Sequence, residues 1–209
     1  MFVANLSLYR KMTKSRSENL TNVLLPLLPD KGIILDFGCG NGYMAETILN
    51  KISAIEITGV DVIKDQNLDE SILKNPRFTF QIIVPDKPLP YNNETFDVVV
   101  ACASMHHTNS PEFYFKELKR ITKTNGHIIL IEEMYLNIFD KIWISAQDWF
   151  FNKMKKGVPV PLQFRSLKNY TKEFQNNALE VVFKGSVRPI FPYMHHYVFK
   201  LKKVNDDEV

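Results

Sequence analysis

Three glycines, Gly38, Gly40 and Gly42, fall within five residues of a 209-residue chain that holds only 8. They lie in the run Leu35-Asp36-Phe37-Gly38-Cys39-Gly40-Asn41-Gly42. Bare positions let the backbone turn sharply and let a ligand lie against it. Where such a run leaves a strand and enters a helix, the first helical amides also face an anionic group. Asp61, nineteen residues past Gly42, makes the loop more specific, because a carboxylate there accepts both hydroxyl hydrogens of a ribose. The chemistry is that of a nucleotide-type ligand. Its spacing is Gly-x-Gly-x-Gly, and Tyr43 stands where the dinucleotide pattern wants a third glycine. A nicotinamide-dependent oxidoreductase is therefore the lesser alternative.

The surrounding pattern supplies the elements to hold that loop. Ile33 to Phe37 reads as the strand before it, after a Pro29-to-Gly32 turn, with a helix over Glu18 to Leu28 upstream. Further strands are expected at Ala54 to Val60, Arg77 to Val84 and Phe96 to Ala101, the last apolar on both faces. Ser110-Pro111-Glu112 opens a helix, with Ser as cap and Phe115, Leu118 and Ile121 on its buried face. Thr124-Asn125-Gly126 is expected to turn the chain into a strand over His127 to Ile131. Strands alternating with helices imply a doubly wound α/β unit with a parallel sheet covered on both faces. Tyr135 to Lys156 reads as a long aromatic-rich helix broken by Gly157 to Pro161, and Ser166 to Asn176 as another. Leu179 to Phe183 and His195 to Leu201 form a late hairpin at the sheet edge.

These residues together resemble a known family. Ile34 to Gly42 (ILDFGCGNG) is similar to the first motif of class I S-adenosylmethionine-dependent methyltransferases. The likeness continues through Gly59-Val60-Asp61, Phe96-Asp97-Val98-Val99-Val100 with Met105-His106-His107, and Leu118-Lys119-Arg120-Ile121 to Asn125-Gly126-His127-Ile128. It implies a seven-stranded sheet in the order 3-2-1-4-5-7-6, with strand 7 antiparallel. It also implies S-adenosyl-L-methionine as cofactor. Asp36 and the backbone of Gly38, Gly40 and Asn41, with Gly42, would surround the methionine part, Asp61 the ribose and Val62 the adenine. The backbone around Ala101 and Cys102 would hold the amino group. The family's adenine-binding Asp has no direct counterpart: Pro85 takes that position and Asp86 follows it.

A neutral thioether leaves in methyl transfer, so no general acid is needed, and only a proton-bearing acceptor calls for a base. His107, in the pair His106-His107 after strand four, is the candidate, against a loop-stabilising role that the same spacing serves. Two adjacent histidines make no metal site alone, and His195-His196 would point to opposite sheet faces, so no metal is expected. Glu132-Glu133 reads as a contact for an amine substrate, a helix cap or a solvated pair. The aromatic segment within 135–177 reads as core or as a cap-like insertion over an apolar or aromatic acceptor, in a single domain over 1–209. Lys153, Lys155 and Lys156 read as a solvated face.

Composition narrows the partners. With 45% hydrophobic and 23% charged residues the chain is ordinary for a globular protein, and wholesale disorder is excluded. A net charge of +3 is too mild to imply nucleic acid or a membrane surface, and Ala101-Cys102-Ala103-Ser104 lacks the Asn-Pro-Pro-aromatic signature of base-amino methylation. The expected partner is a small-molecule acceptor. No run reaches the ~18 apolar residues of a span, Met1 to Tyr9 is no signal peptide, and two cysteines suggest buried thiols in the cytoplasm. A non-catalytic binding module of the same fold is the remaining alternative.

Overall fold

Val98, Val99 and Val100 are all buried, although successive strand residues face opposite ways. The strand that carries them must therefore be covered twice. The computed structural model, which describes residues 2–153, 162–188 and 195–204, shows how. Seven strands form one sheet: β1 (Lys31–Phe37), β2 (Ala54–Asp61), β3 (Phe78–Ile82), β4 (Phe96–Cys102), β5 (Thr122–Glu133), β6 (Leu179–Val187) and β7 (His196–Lys203). Their order is β3-β2-β1-β4-β5-β7-β6, as expected. The first five run parallel, and β7 is antiparallel to both β5 and β6.

Among the described residues six α-helices accompany it: α1 (Phe2–Leu24), α2 (Tyr43–Lys51), α3 (Glu70–Leu73), α4 (Pro111–Ile121), α5 (Ile138–Lys153) and α6 (Leu167–Asn176). The odd and even residues of each central strand feed two cores. Leu35, Val99, Ile128 and Phe199 pack with Phe115, Leu118 and Ile121 of α4 and Tyr170 and Phe174 of α6. Ile34, Val98, Ile129 and Val198 pack with Leu20 and Leu24 of α1, Ile48 and Leu49 of α2 and Ile72 of α3. Each of those strand side chains is essentially sealed from water. At ~25 cal/mol per Å², burying a Val, Ile, Leu or Phe contributes about 1.5–3 kcal/mol, and the sheet collects this on both faces.

Several boundaries differ from the sequence reading, each for a local reason. The first helix begins at Phe2 and stops at Leu24, not at Leu28. Pro26 disfavours helical geometry in the residue before it, and Leu25–Leu27 tightens into a 3-10 turn. β1 already begins at Lys31, inside the expected turn. β5 begins at Thr122, so Thr124-Asn125-Gly126 is no turn. Its extra residues form a bulge between the pairs Phe96–Thr122 and Val98–His127. α5 starts at Ile138 because Asn137 Oδ1 accepts from Asp140 N while Asp140 Oδ2 accepts from Leu136 N and Asn137 N. Ser110 makes no side-chain cap bond to α4. The expected break at Gly157 to Pro161, Lys155 and Lys156 lie outside the described residues.

Candidate functional site

The carboxyl ends of β1, β2 and β4 open into one cavity of about 290 Å³. Three turns build its floor. The first is the glycine loop, where Gly38, Gly40 and Gly42 all take φ between +53° and +77°, a region that side chains strain to enter. The needs of the three differ. A Cβ on Gly38 would stand 2.5 Å from Ser104 Cβ, so that glycine permits the close approach of the loop after β4. Gly42 caps α2 and faces Leu68 and Ile72. A Cβ on Gly40 would meet nothing within 4 Å, and Gly40 lines the cavity. Packing therefore does not require bareness at Gly40, whose φ of +53° does.

Asp61 ties the second turn to the first. Its Oδ2 accepts from Gly40 N at 2.9 Å and its Oδ1 from Val62 N at 2.7 Å. Burial raises its pKa, and those amide bonds oppose the rise. Asp36, one strand away at the end of β1, is 3% exposed, and neither carboxylate oxygen has a hydrogen-bond partner among the described residues. Burial, reinforced by the Asp61 charge, lifts its carboxyl to about 7. A buried carboxylate without a donor is costly, and it marks the place where a cation would be stabilised.

Glu132 builds the third turn. It is fully buried at the end of β5, and its Oε1 accepts from Ser104 N at 2.8 Å and Met105 N at 2.7 Å. His106 Nδ1 donates to Glu132 Oε2 at 2.6 Å. Burial disfavours a charged His106 ring, but the charges of Glu132 and Asp148 and the bond to Glu132 outweigh it and push the imidazole up to about 10. Of the roles the sequence left open to Glu132, this is capping, here of the 3-10 turn Met105–His107. Glu133 lines the cavity. His106 is buried under Phe164, whose ring stacks on it at 4.3 Å, while His107 keeps 23% side-chain exposure.

Of the residues singled out from sequence, Gly38, Gly40, Asn41, Asp61, Val62, Asp86, Cys102 and His107 line this cavity. Asp36, Gly42 and Ala101 lie behind its lining. Asp86 is held at φ +57° by its N–H to Tyr114 Oη at 3.0 Å and by Asn109 Nδ2, which donates to its carboxylate at 2.9 Å. Cys39 and Cys102 are free thiols whose pKa burial drives far up for Cys39 and to about 12 for Cys102, so neither is a nucleophile. The sequence reading missed two walls. Thr13, Arg16, Ser17 and Leu20 of α1 form one, and Gln147 and Asp148 of α5 the other. Their only sequence signal was a polar residue on an otherwise packing helix.

The fit to an S-adenosylmethionine-type cofactor rests on these atoms: the orphaned Asp36 carboxylate, the open Gly40 and the Asp61 carboxylate in the cavity wall. Comparison with known proteins agrees. The family described as "Methyltransferase domain" matches residues 35–130. Human mitochondrial arginine-hydroxylase NDUFAF5 is 30% identical over 97 residues, 46% of this chain and 27% of that protein. The tRNA U34 carboxymethyltransferase of Saccharophagus degradans is 29% identical over 102 residues, 46% of this chain and 31% of that protein. The demethylmenaquinone methyltransferase of Thermotoga maritima is 25% identical over 116 residues, 55% and 48% of the two chains. The chain thus spans between about a quarter and a half of these curated relatives. Among solved structures, a methyltransferase in complex with the Haloferax volcanii Trm112 activator superposes with TM-score 0.74 at 15% identity, covering 95% of both chains. A Burkholderia thailandensis 1,6-didemethyltoxoflavin-N1-methyltransferase with bound S-adenosylhomocysteine gives 0.70 at 13% identity, covering 97% of this chain and 87% of that one. The glycine loop and Asp61 thus fall within the segment that matches the methyltransferase-domain model, and the chain as a whole has the fold of these solved methyltransferases.

Proposed function

We propose that the protein is a methyltransferase that moves a methyl group from S-adenosylmethionine to an oxygen, nitrogen or carbon atom of a small apolar or aromatic acceptor. The observation that carries the cofactor half is the buried, donorless carboxylate of Asp36 beneath an open glycine loop. When bound, the cofactor supplies a methyl group already activated on a positively charged sulfur. The chain's own part is to bind, orient and exclude water. Asp36 compensates the positive charge of the methionine part, Asp61 takes the ribose while bracing Gly40, and Val62 and Asp86 flank the adenine. Alignment of acceptor and donor is worth up to ~7–11 kcal/mol in well-oriented systems. His107, which lines the cavity, takes the proton from an acceptor that carries one.

The described parts of 135–177, residues 135–153 and 162–177, serve as the cap over the acceptor side of a single domain. Support comes from Gln147 and Asp148 in the cavity wall and from Phe164 on His106. A small acceptor is favoured over nucleic acid by the net charge of +3, although one relative is named for tRNA. The demethylmenaquinone relative is named for an apolar aromatic substrate, in line with this reading. Two free thiols fit a cytoplasmic setting, and no described helix is long and apolar enough to cross a membrane.

Calorimetry with S-adenosylmethionine and with NAD tests the reading. The expected result is tighter binding of the former, lost by at least tenfold in Asp61→Ala. Equal affinity in the variant, or preference for NAD, overturns it. Tight cofactor binding with no turnover across a broad acceptor panel would favour a non-catalytic module.

A further inference from the structure

Adjacent histidines at 106 and 107 were no metal site by themselves, but the fold brings a third donor to them from α5. One ring nitrogen of His106, one of His107 and a carboxylate oxygen of Asp148 all lie within 4.8 Å of one another. His106 Nε2 and His107 Nε2 stand 3.8 and 3.7 Å from Asp148 Oδ1. These separations exceed hydrogen-bond length. They are close to the ~3.4 Å that neighbouring donors take around a tetrahedral ion with bonds of about 2.1 Å. Shifts of a few tenths of an ångström would bring both imidazoles to that separation from Asp148, and the two imidazole nitrogens lie within 4.8 Å of each other.

The surroundings match what a metal-binding imidazole requires. A ligating histidine usually donates its other ring N–H to a carboxylate, which fixes the tautomer and aims the free nitrogen at the ion. His106 Nδ1 already donates to Glu132 Oε2 at 2.6 Å, leaving Nε2 on the Asp148 side. Glu132 is in turn locked by the amides of Ser104 and Met105, so the ring is oriented before any ion arrives. His107 and Asp148 retain 23% and 12% side-chain exposure, which gives an ion access. All three residues line the large cavity, so a fourth coordination position would open into it.

We propose that His106, His107 and Asp148 bind one divalent transition-metal ion with its open position facing the cavity. Two imidazoles and one carboxylate favour zinc and its neighbours over calcium or magnesium, which take all-oxygen sets. An oxygen-bearing acceptor, such as a phenol or enol, would bind there as its anion, its proton passing to solvent, and His107 would then act as a ligand in place of a base. That role rests on the proposed methyl transfer, whereas metal binding itself does not. The competing arrangement is a His106 cation held between Glu132 and Asp148, with Arg16 of α1 sharing the Asp148 charge.

The test is titration of the chelator-treated full chain with Co²⁺ by visible absorption and with Zn²⁺ by calorimetry. One ion per chain is expected, with the d–d bands of a low-coordinate Co²⁺ site. His107→Ala and Asp148→Asn should each weaken binding at least tenfold while keeping S-adenosylhomocysteine binding and the thermal transition. Asp61→Ala should lose the cofactor and keep the ion, which separates failure of this proposal from failure of the cofactor reading. No stoichiometric ion, or equal affinity in both metal-side variants, overturns the proposal in favour of the two-carboxylate cation.

Discussion

Glu132 Oε2 and His106 Nδ1 meet at 2.6 Å with both side chains shut away from solvent. The two come from different strand ends, and their bond joins the last turn of β4 to the last turn of β5. With Ser104 N and Met105 N on the other oxygen, one carboxylate organises the whole loop at the cavity's rear.

Removing that carboxylate should therefore cost far more than a surface ion pair. Glu132→Ala leaves two amides and a ring N–H unsatisfied in the interior, and a loss of about 3–5 kcal/mol is expected. Glu132→Gln keeps an oxygen that accepts from the two amides and should lose markedly less. Denaturant midpoints of the two variants against wild type decide this. Equal losses would mean that charge, not the amide bonds, holds the loop.

Gly38 and Gly40 should separate stability from binding. Gly38→Ala drives a methyl into Ser104 Cβ and strains a φ of +77°, so about 1–3 kcal/mol of stability should go. Gly40→Ala carries only the backbone strain, ~1–2 kcal/mol, because its Cβ enters open space. Its larger effect should be on cofactor affinity, a loss of at least tenfold by calorimetry. Unchanged affinity in Gly40→Ala would show that the ligand does not approach the loop there.

Asp36 sets a pH dependence whose sign follows from its raised carboxyl. With a folded value of about 7 against an ordinary 3.8, the folded state holds its proton more tightly than the unfolded chain. The protein without cofactor should thus lose stability as pH rises from about 4 to about 7. A bound cation favours the carboxylate, so cofactor affinity should rise over the upper part of that window. Asp36→Asn should flatten both slopes, as read from melts and calorimetry at several pH values. A wild-type slope that survives in the variant would assign it to another group.

The features that were legible in sequence are those whose meaning is local. Gly38, Gly40 and Gly42 declare a turn in five residues, Asp61 sits one strand later, and Val98 to Val100 announce a doubly covered strand. The sheet order followed once the motifs fell into the family's sequence of elements. The missed features arise by convergence. Asp148 is 41 residues from His107 on a helix whose aromatic content drew attention to packing instead. Arg16 reached the cavity on a helix read only from Glu18 onward. Glu132 looked as suited to a substrate as to a loop, because a carboxylate's partners 26 to 28 residues away leave no mark in its own segment.

Arg16 Nη2 lies 2.8 Å from His196 Nε2 across 180 residues of sequence, and Lys200 Nζ donates to Leu27 O at 2.9 Å across 173. Strands β1, β2 and β4, all within residues 31–102, can pair as soon as they leave the ribosome. The wall made by α1 packs on α2 but takes its polar tie at Arg16 from β7. Contacts of that sequence separation form late and slowly. During synthesis the glycine loop would thus be shaped well before the cavity above it is closed. The emerging chain would pass through a stage with its cofactor floor complete and one side open. Such an intermediate gives a cofactor or a chaperone its longest access to the site, and folding and loading of this protein would then be a single event in time.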